Sequence, residues 1–299
     1  MSPEGLGFAR IGKGLGDAPM LDVCGFHPAQ AGINLTEQLA HIARANKLKK
    51  QSCAAVIDLG KYELFPVEAP NVPENELRGA VAWRIQEMID FAVEEAVIDV
   101  FDFPGDRPAN QPRQVYAVVA RESLIREHSE AIRGAHMQLN AIDIPDLALR
   151  NIAGLLPEDS QGVAFLYITG ERSLITITKH KSLYFSRSFP IGFNHLQAED
   201  LDKVEDTENT EIAGWYETLT LEIQRSIDYY ESHFRQSPLM NLVLAPIEIE
   251  LPQLQQHLEQ SLGIKVRKLD IASILSVPQD LDEKIQARTL LAVGEALRQ

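Results

Sequence analysis

The chain has 299 residues, 45% of them hydrophobic, and a formal net charge of −15. That length and apolar content suffice for one large or two medium domains with sizeable cores, and exclude wholesale disorder. The acidic balance argues against a phosphate-backbone binder, which needs clustered Lys and Arg.

Gly5 to Ile11 and Met20 to Phe26 read as the arms of a hairpin joined by the Gly-rich turn GKGLGDAP. A helix is expected from Thr36 to Leu48, capped by Thr36, with Leu39, Ile42, Ala43 and Leu48 on one face. An apolar strand, Cys53 to Leu59, closes at Gly60. Pro73 opens a helix carrying Leu77, Val81, Ile85 and Met88 at three- and four-residue spacing. Val97 to Phe103 and Gln114 to Ala120 alternate as strands around the loop PGDRPANQP, and a second helix runs from about Arg121 to His136. This block has the character of an inserted subdomain.

The second half opens after Leu155-Leu156-Pro157 with three short strands at about 163–169, 173–178 and 183–187. Gln197 to Glu211 holds seven acids against Lys203 alone, the pattern of a solvated linker. A long helix from Trp215 to about Phe234 follows. Then come a strand (Leu242 to Leu244), a helix (Pro252 to Leu262), a strand (Ile264 to Leu269) and a closing helix from about Leu281 to Leu297. The halves form a weak internal repeat of antiparallel strands, helix and further strand, the order of a ribonuclease-H-like unit.

Cys24 and Cys53 lack CxxC spacing and are expected to be small core thiols in a reducing compartment, the alternative being a structural disulfide, which needs them adjacent in space. No run approaches the roughly 20 apolar residues of a membrane span, and no basic-then-apolar leader is present. The eight His residues show no HExxH, and neither a GxSxG elbow nor a P-loop occurs. GKGLGD lacks Walker spacing and reads as a hairpin turn.

Three segments resemble the PilM family of type IV pilus assembly proteins, and within it the MshI branch of the mannose-sensitive haemagglutinin (MSHA) pilus system. Phe65 to Phe103 resembles the family's inserted subdomain, Glu222 to Glu231 (EIQRSIDYYE) its Glu-x-x-Arg-Ser helix, and Phe185 to Phe193 (FSRSFPIGF) its Arg-x-x-Pro-x-Gly element. The resemblance implies an α/β, actin-like fold with two ribonuclease-H-like domains. The first domain would comprise residues 1–61 and about 141–157, with the C-terminal helix 281–298 as a candidate addition. The inserted subdomain would be residues 62–140, and the second domain residues 158–280. It also implies a cytoplasmic protein held peripherally at the inner membrane by the tail of a PilN-like partner, alongside other pilus assembly proteins.

In PilM, ATP fills the interdomain cleft. The family's Asp-Ile-Gly matches Tyr167-Ile168-Thr169 here, so the Mg²⁺-holding acid is lost and only Gly170 remains in the loop. Ser173 keeps a hydroxyl where the family often has Thr, which turn chemistry also explains. The family's Gly-Gly at the base matches Pro246-Ile247, which lack the required freedom. Glu222 and Arg225 match helix positions lining the nucleotide, or form a simple helix-face pair. Gly192 ends the family's Pro-x-Gly element. Ser2-Pro3-Glu4-Gly5 resembles the first phosphate loop without its preceding strand, consistent with a start lacking about a strand's worth of residues.

The reading is therefore a degenerate nucleotide cleft with no catalytic residue, metal site or cofactor, ATP with Mg²⁺ being disfavoured. The partner groove would be bordered by Leu64, Phe65, Leu77, Val81, Ile85, Ile89, Val97 and Val100, accepting an extended peptide at a sheet edge. The alternatives are an ATP-binding pilus assembly ATPase with an atypical site and a small-molecule kinase of the same fold.

Overall fold

Strand and helix boundaries follow local chemistry through most of the chain. A computed structural model describes residues 4–14, 19–105, 112–196, 210–277 and 281–298. The acidic stretch 197–211, much of the hairpin turn and loop PGDRPANQP, and Ser2-Pro3 lie outside the described residues or at their margin. The chain divides into two units, residues 1–5 with 27–144 and residues 6–26 with 145–299. Most of the first hairpin, β1 (Gly5–Lys13) with β2 (Pro19–Pro28), thus clusters with the second unit, whereas the sequence grouped it with residues 27–61.

In the first unit, α1 (Leu35–Ala45) is capped by Asn34 rather than Thr36. Glu37 N donates to Asn34 Oδ1 at 2.9 Å, and the Glu37 carboxylate accepts from Asn34 N at 3.4 Å. This reciprocal box fixes the helix cap two residues earlier than the hydroxyl of Thr36 suggested. Strand β3 (Ser52–Val56) pairs in parallel with β7 (Gln138–Asp143), a strand the sequence did not announce. The inserted block is a three-stranded antiparallel sheet of order β4–β6–β5, built from β4 (Tyr62–Glu68), β5 (Ala96–Asp102) and β6 (Gln114–Arg121). Helix α2 (Glu74–Ile85) buries Leu77, Val81 and Ile85 against Val115, Ala117 and Val119 of the central strand. Met88, expected on that helix, lies beyond its end and is exposed. Helix α3 (Glu122–Gly134) packs on α1 and β7.

The second unit contains a five-stranded sheet of order β10–β9–β8–β11–β12, comprising β8 (Val163–Ile168), β9 (Ser173–Lys179), β10 (Ser182–Phe189), β11 (Asn241–Leu244) and β12 (Lys265–Lys268). The first three strands are antiparallel, and β8, β11 and β12 are parallel. Ala164, Leu166, Ile168, Ile175 and Ile177 point to one face, where Leu219, Ile223 and Ile227 of α5 (Thr210–Phe234) cover them. The alternate residues face α4 (Pro145–Ala153), which contacts β8, β9 and β10 and in turn packs on α7 (Glu283–Ala296). Helix α6 (Leu254–Leu262) lies against α5 and β12. Outside the β4–β6–β5 block, the elements of the first half follow the same chain order and form the pairs β1–β2 and β3–β7. No described strand there corresponds to the central β8.

Both cysteines are free thiols, and burial pushes each thiol pKa up. Cys24 Sγ donates to Thr289 Oγ1 at 3.1 Å.

Candidate functional site

The turn between β8 and β9, which the sequence resemblance matched to a phosphate loop, is closed by bonds between Thr169 and Arg172. Thr169 N and Oγ1 both donate to Arg172 O at 2.8 Å, and Oγ1 accepts from Arg172 N at 3.1 Å. The segment after β10 then lies directly on the turn. Phe193 N donates to Thr169 O at 3.1 Å and Asn194 N to Gly170 O at 2.8 Å. The Asn194 side chain donates to Glu171 Oε1 at 3.0 Å and approaches to 2.5 Å of where a Cβ on Gly170 would stand.

Ser173 is fully buried, and its hydroxyl donates to Ile191 O at 2.6 Å, so it presents no free group. Gly192 is required by close approach rather than by unusual torsion. Its φ of −132° suits any residue, yet a Cβ would stand 2.3 Å from Gly170 O. Trp215 Nε1 fastens the same peptide by donating to Gly192 O at 3.1 Å.

The charges around this turn pair among themselves. Glu222 accepts from Arg187 Nη2 at 2.5 Å and from Arg225 Nη1 at 2.6 Å, with its side chain only 14% exposed. It therefore bridges strand β10 to helix α5. The helix-face reading thus gains a third member, Arg187, which sequence spacing did not reveal. Tyr167, the position that the sequence resemblance matched to the family's acid, is half-buried on the sheet face opposite Leu166 and Ile168. Pro246 is buried beside Ile247, and the strand end is tied by Ala245 N donating to Leu166 O at 2.8 Å. Among the described residues no group of three or more His, Cys, Asp or Glu is placed to hold a metal.

A buried acid escaped the sequence reading. Asp146, in the first turn of α4 and 2% exposed, accepts a short hydrogen bond from Ser186 of β10. The available signal was its place immediately after Pro145, where a helix N-terminus favours a carboxylate.

The eight expected groove residues divide between two faces. Leu77, Val81 and Ile85 are core, at 1%, 0% and 0% exposure, with Phe65, Ile89 and Val100 packed around them. Leu64 and Val97 lie on the opposite sheet face, with Leu64 opposite Val118 and Val97 opposite Ala120. Further along that face Phe101 and Phe103 pack on the Tyr116 ring, at 5.1 and 4.8 Å between centroids. A separate open groove of about 520 Å³ in the same unit is lined by the start of α1 and by Arg121, Ser123, Glu127 and Glu130.

No protein-family model and no curated protein sequence matches the chain. Among solved structures, a chain of a PilM–PilN type IV pilus biogenesis complex superposes with a TM-score of 0.78 at 19% identity, over 99% of this chain and 96% of that one. A Bacteroides thetaiotaomicron protein described as having an actin-like ATPase fold and unknown function reaches 0.50 at 11% identity, over 97% and 93%. The fold is actin-like. That meets the expectation drawn from the sequence resemblance, and the full-length coverage extends it to both units. Among the described residues no helix is long and apolar enough to cross a membrane.

Proposed function

We propose that this chain is a non-catalytic actin-like scaffold in type IV pilus biogenesis, of the MSHA type, which docks the cytoplasmic tail of a PilN-like inner-membrane partner. The carrying observation is the β8–β9 turn, whose backbone and Thr169 hydroxyl bond to each other and are covered by Asn194. A phosphate there would have to displace Asn194 and would meet the Glu171 carboxylate, with no acid at Tyr167 to hold Mg²⁺. The likeness in fold to a chain of the PilM–PilN complex, and the sequence resemblance to the MshI branch, support the pilus assignment. On this reading the protein is cytoplasmic and peripheral to the inner membrane. Leu64 and Val97 mark the sheet face that receives the tail, since Leu77, Val81 and Ile85 are spent on the core.

Calorimetric titration tests both halves of the reading. ATP with Mg²⁺ is expected to give no heat of binding, and a Kd tighter than about 10 µM, roughly 7 kcal/mol, overturns the non-catalytic assignment in favour of an atypical ATPase. A synthetic PilN-like tail is expected to bind. Absence of binding removes the scaffold assignment even if ATP is also silent.

A further inference from the structure

Most arginines in this acidic chain are taken up by acids. Arg10 pairs with Asp22, Arg113 with Glu74 and Asp102, Arg267 with Glu158, and Arg288 with Glu248. One place in the first unit breaks the pattern. Residues 38–57 and 131–142 contain no Asp or Glu, yet carry Arg44, Lys47, Lys49, Lys50 and Arg133, besides His41 and His136. The five cations are all exposed, and none makes an ion pair among the described residues. The backbone brings the Lys47–Lys50 loop beside the end of α3. Lys50 N donates to His136 O and Gln138 N to Gln51 O, both at 3.0 Å, which ties the loop after α1 to the end of α3. Arg44 and Arg133 each sit in a last helical turn, where a cation offsets the helix dipole. Lys47, Lys49 and Lys50 lie beyond the last turn, where that effect has faded.

We propose that this cationic face binds anionic lipid headgroups and turns the end of the first unit that carries α1 and α3 toward the bilayer. The inference rests on the reading that the chain works at the inner membrane, and it adds a direct lipid contact to the one made through a partner. The chemistry of the face favours a headgroup layer over an acidic protein. Leu48 is buried, and none of the large exposed apolar side chains belongs to these residues, so a protein partner finds no apolar anchor. A plane of anionic headgroups needs only clustered Lys and Arg. The net charge of −15 makes the proposal selective, because without this face the chain as a whole is repelled by such vesicles.

The test is flotation of the full chain with vesicles of phosphatidylglycerol and phosphatidylcholine, against vesicles of phosphatidylcholine alone. The variant is Lys47→Asn with Lys49→Gln and Lys50→Asn. Asn suits the positive φ of 56° and 61° at Lys47 and Lys50, so the charge goes while the backbone stays. Expected are a bound fraction at least about fivefold higher on anionic vesicles, its loss at high salt, and an at least about fivefold drop in the variant. Lys265→Gln with Lys284→Gln should bind as the unaltered chain does. Equal binding to both vesicle types, full binding by the loop variant, or displacement by inorganic phosphate or polyglutamate at constant ionic strength each overturns the proposal. Tail binding without vesicle binding sinks this inference alone, and the reverse sinks the scaffold reading alone.

Discussion

Gly192→Ala tests whether the close backbone approach at the β8–β9 turn is what holds the second unit's site region together. The added Cβ would stand 2.3 Å from Gly170 O and 2.4 Å from Glu171 C, so the two backbones must separate by at least 0.7 Å to reach 3.0 Å. Neither contact is a flexible side-chain end that could swing away. Overpacking of this kind costs about 1–3 kcal/mol. The same separation stretches the bonds from Phe193 N to Thr169 O, Asn194 N to Gly170 O and Ser173 Oγ to Ile191 O. Each is worth about 0.5–1.5 kcal/mol when intact. Against this, Ala restricts the unfolded chain and returns roughly 0.4–1 kcal/mol. The net expectation is a loss of about 2–3 kcal/mol, or a melting temperature lower by about 5–10 °C for a unit of this size. Gly214→Ala is the control within the same unit. It lies in helix α5 with open space at the Cβ position, and should gain up to about 1 kcal/mol of helix propensity. Melting followed by circular dichroism reads both. If Gly192→Ala melts within about 1 °C of the parent while Gly214→Ala rises, the tight approach is not a constraint and the account of the turn is wrong.

Two further outcomes follow from burial. Leu77→Ala should destabilise the inserted subdomain by about 2–5 kcal/mol in denaturant unfolding, whereas Trp83→Ala on the same helix, 73% exposed, should stay within about 0.5 kcal/mol; equal effects would mean that α2 does not pack as described. Asp159 is buried with Oδ1 unpartnered, and desolvation raises its pKa above the ordinary value even though Oδ2 accepts from Lys181 N at 2.7 Å. A carboxyl with a raised folded pKa favours folding when protonated, so this residue's contribution falls as pH rises from the unfolded value through the folded one. Asp159→Asn should therefore melt close to the parent at about pH 3 and progressively above it toward about pH 7, and a difference that does not change with pH would refute the assignment.

The sequence disclosed elements whose periodicity is local and hid those decided by neighbours. The residues of α2 and of β8 to β10 announced themselves by spacing. Strand β4 did not, because Pro66 breaks a strand pattern unless the strand lies at an edge, and the order β4–β6–β5 puts it there. Strand β7 and helix α4 were hidden by a polar QLNAID run and by a helix opening on Pro145. The same limit governs the sites. Spacing showed that Leu77, Val81 and Ile85 share a face, but not whether that face meets a sheet or a partner. The pairing of Glu222 with Arg225 was legible at three residues' separation, while Arg187, 35 residues away, was not.

Gly192 and Asn194 together account for how the β8–β9 turn is held. A loop shaped by a ligand owes part of its stability to that ligand. Here Thr169 bonds within the turn, Phe193 and Asn194 donate to its carbonyls, and Trp215 holds Gly192 in place. The turn is thus held by contacts within the chain. On the proposed reading, Tyr167→Asp leaves Asn194 over Gly170 and bonded to Glu171, so this single change is expected to give no ATP binding by calorimetry, and a measurable Kd would refute the proposal.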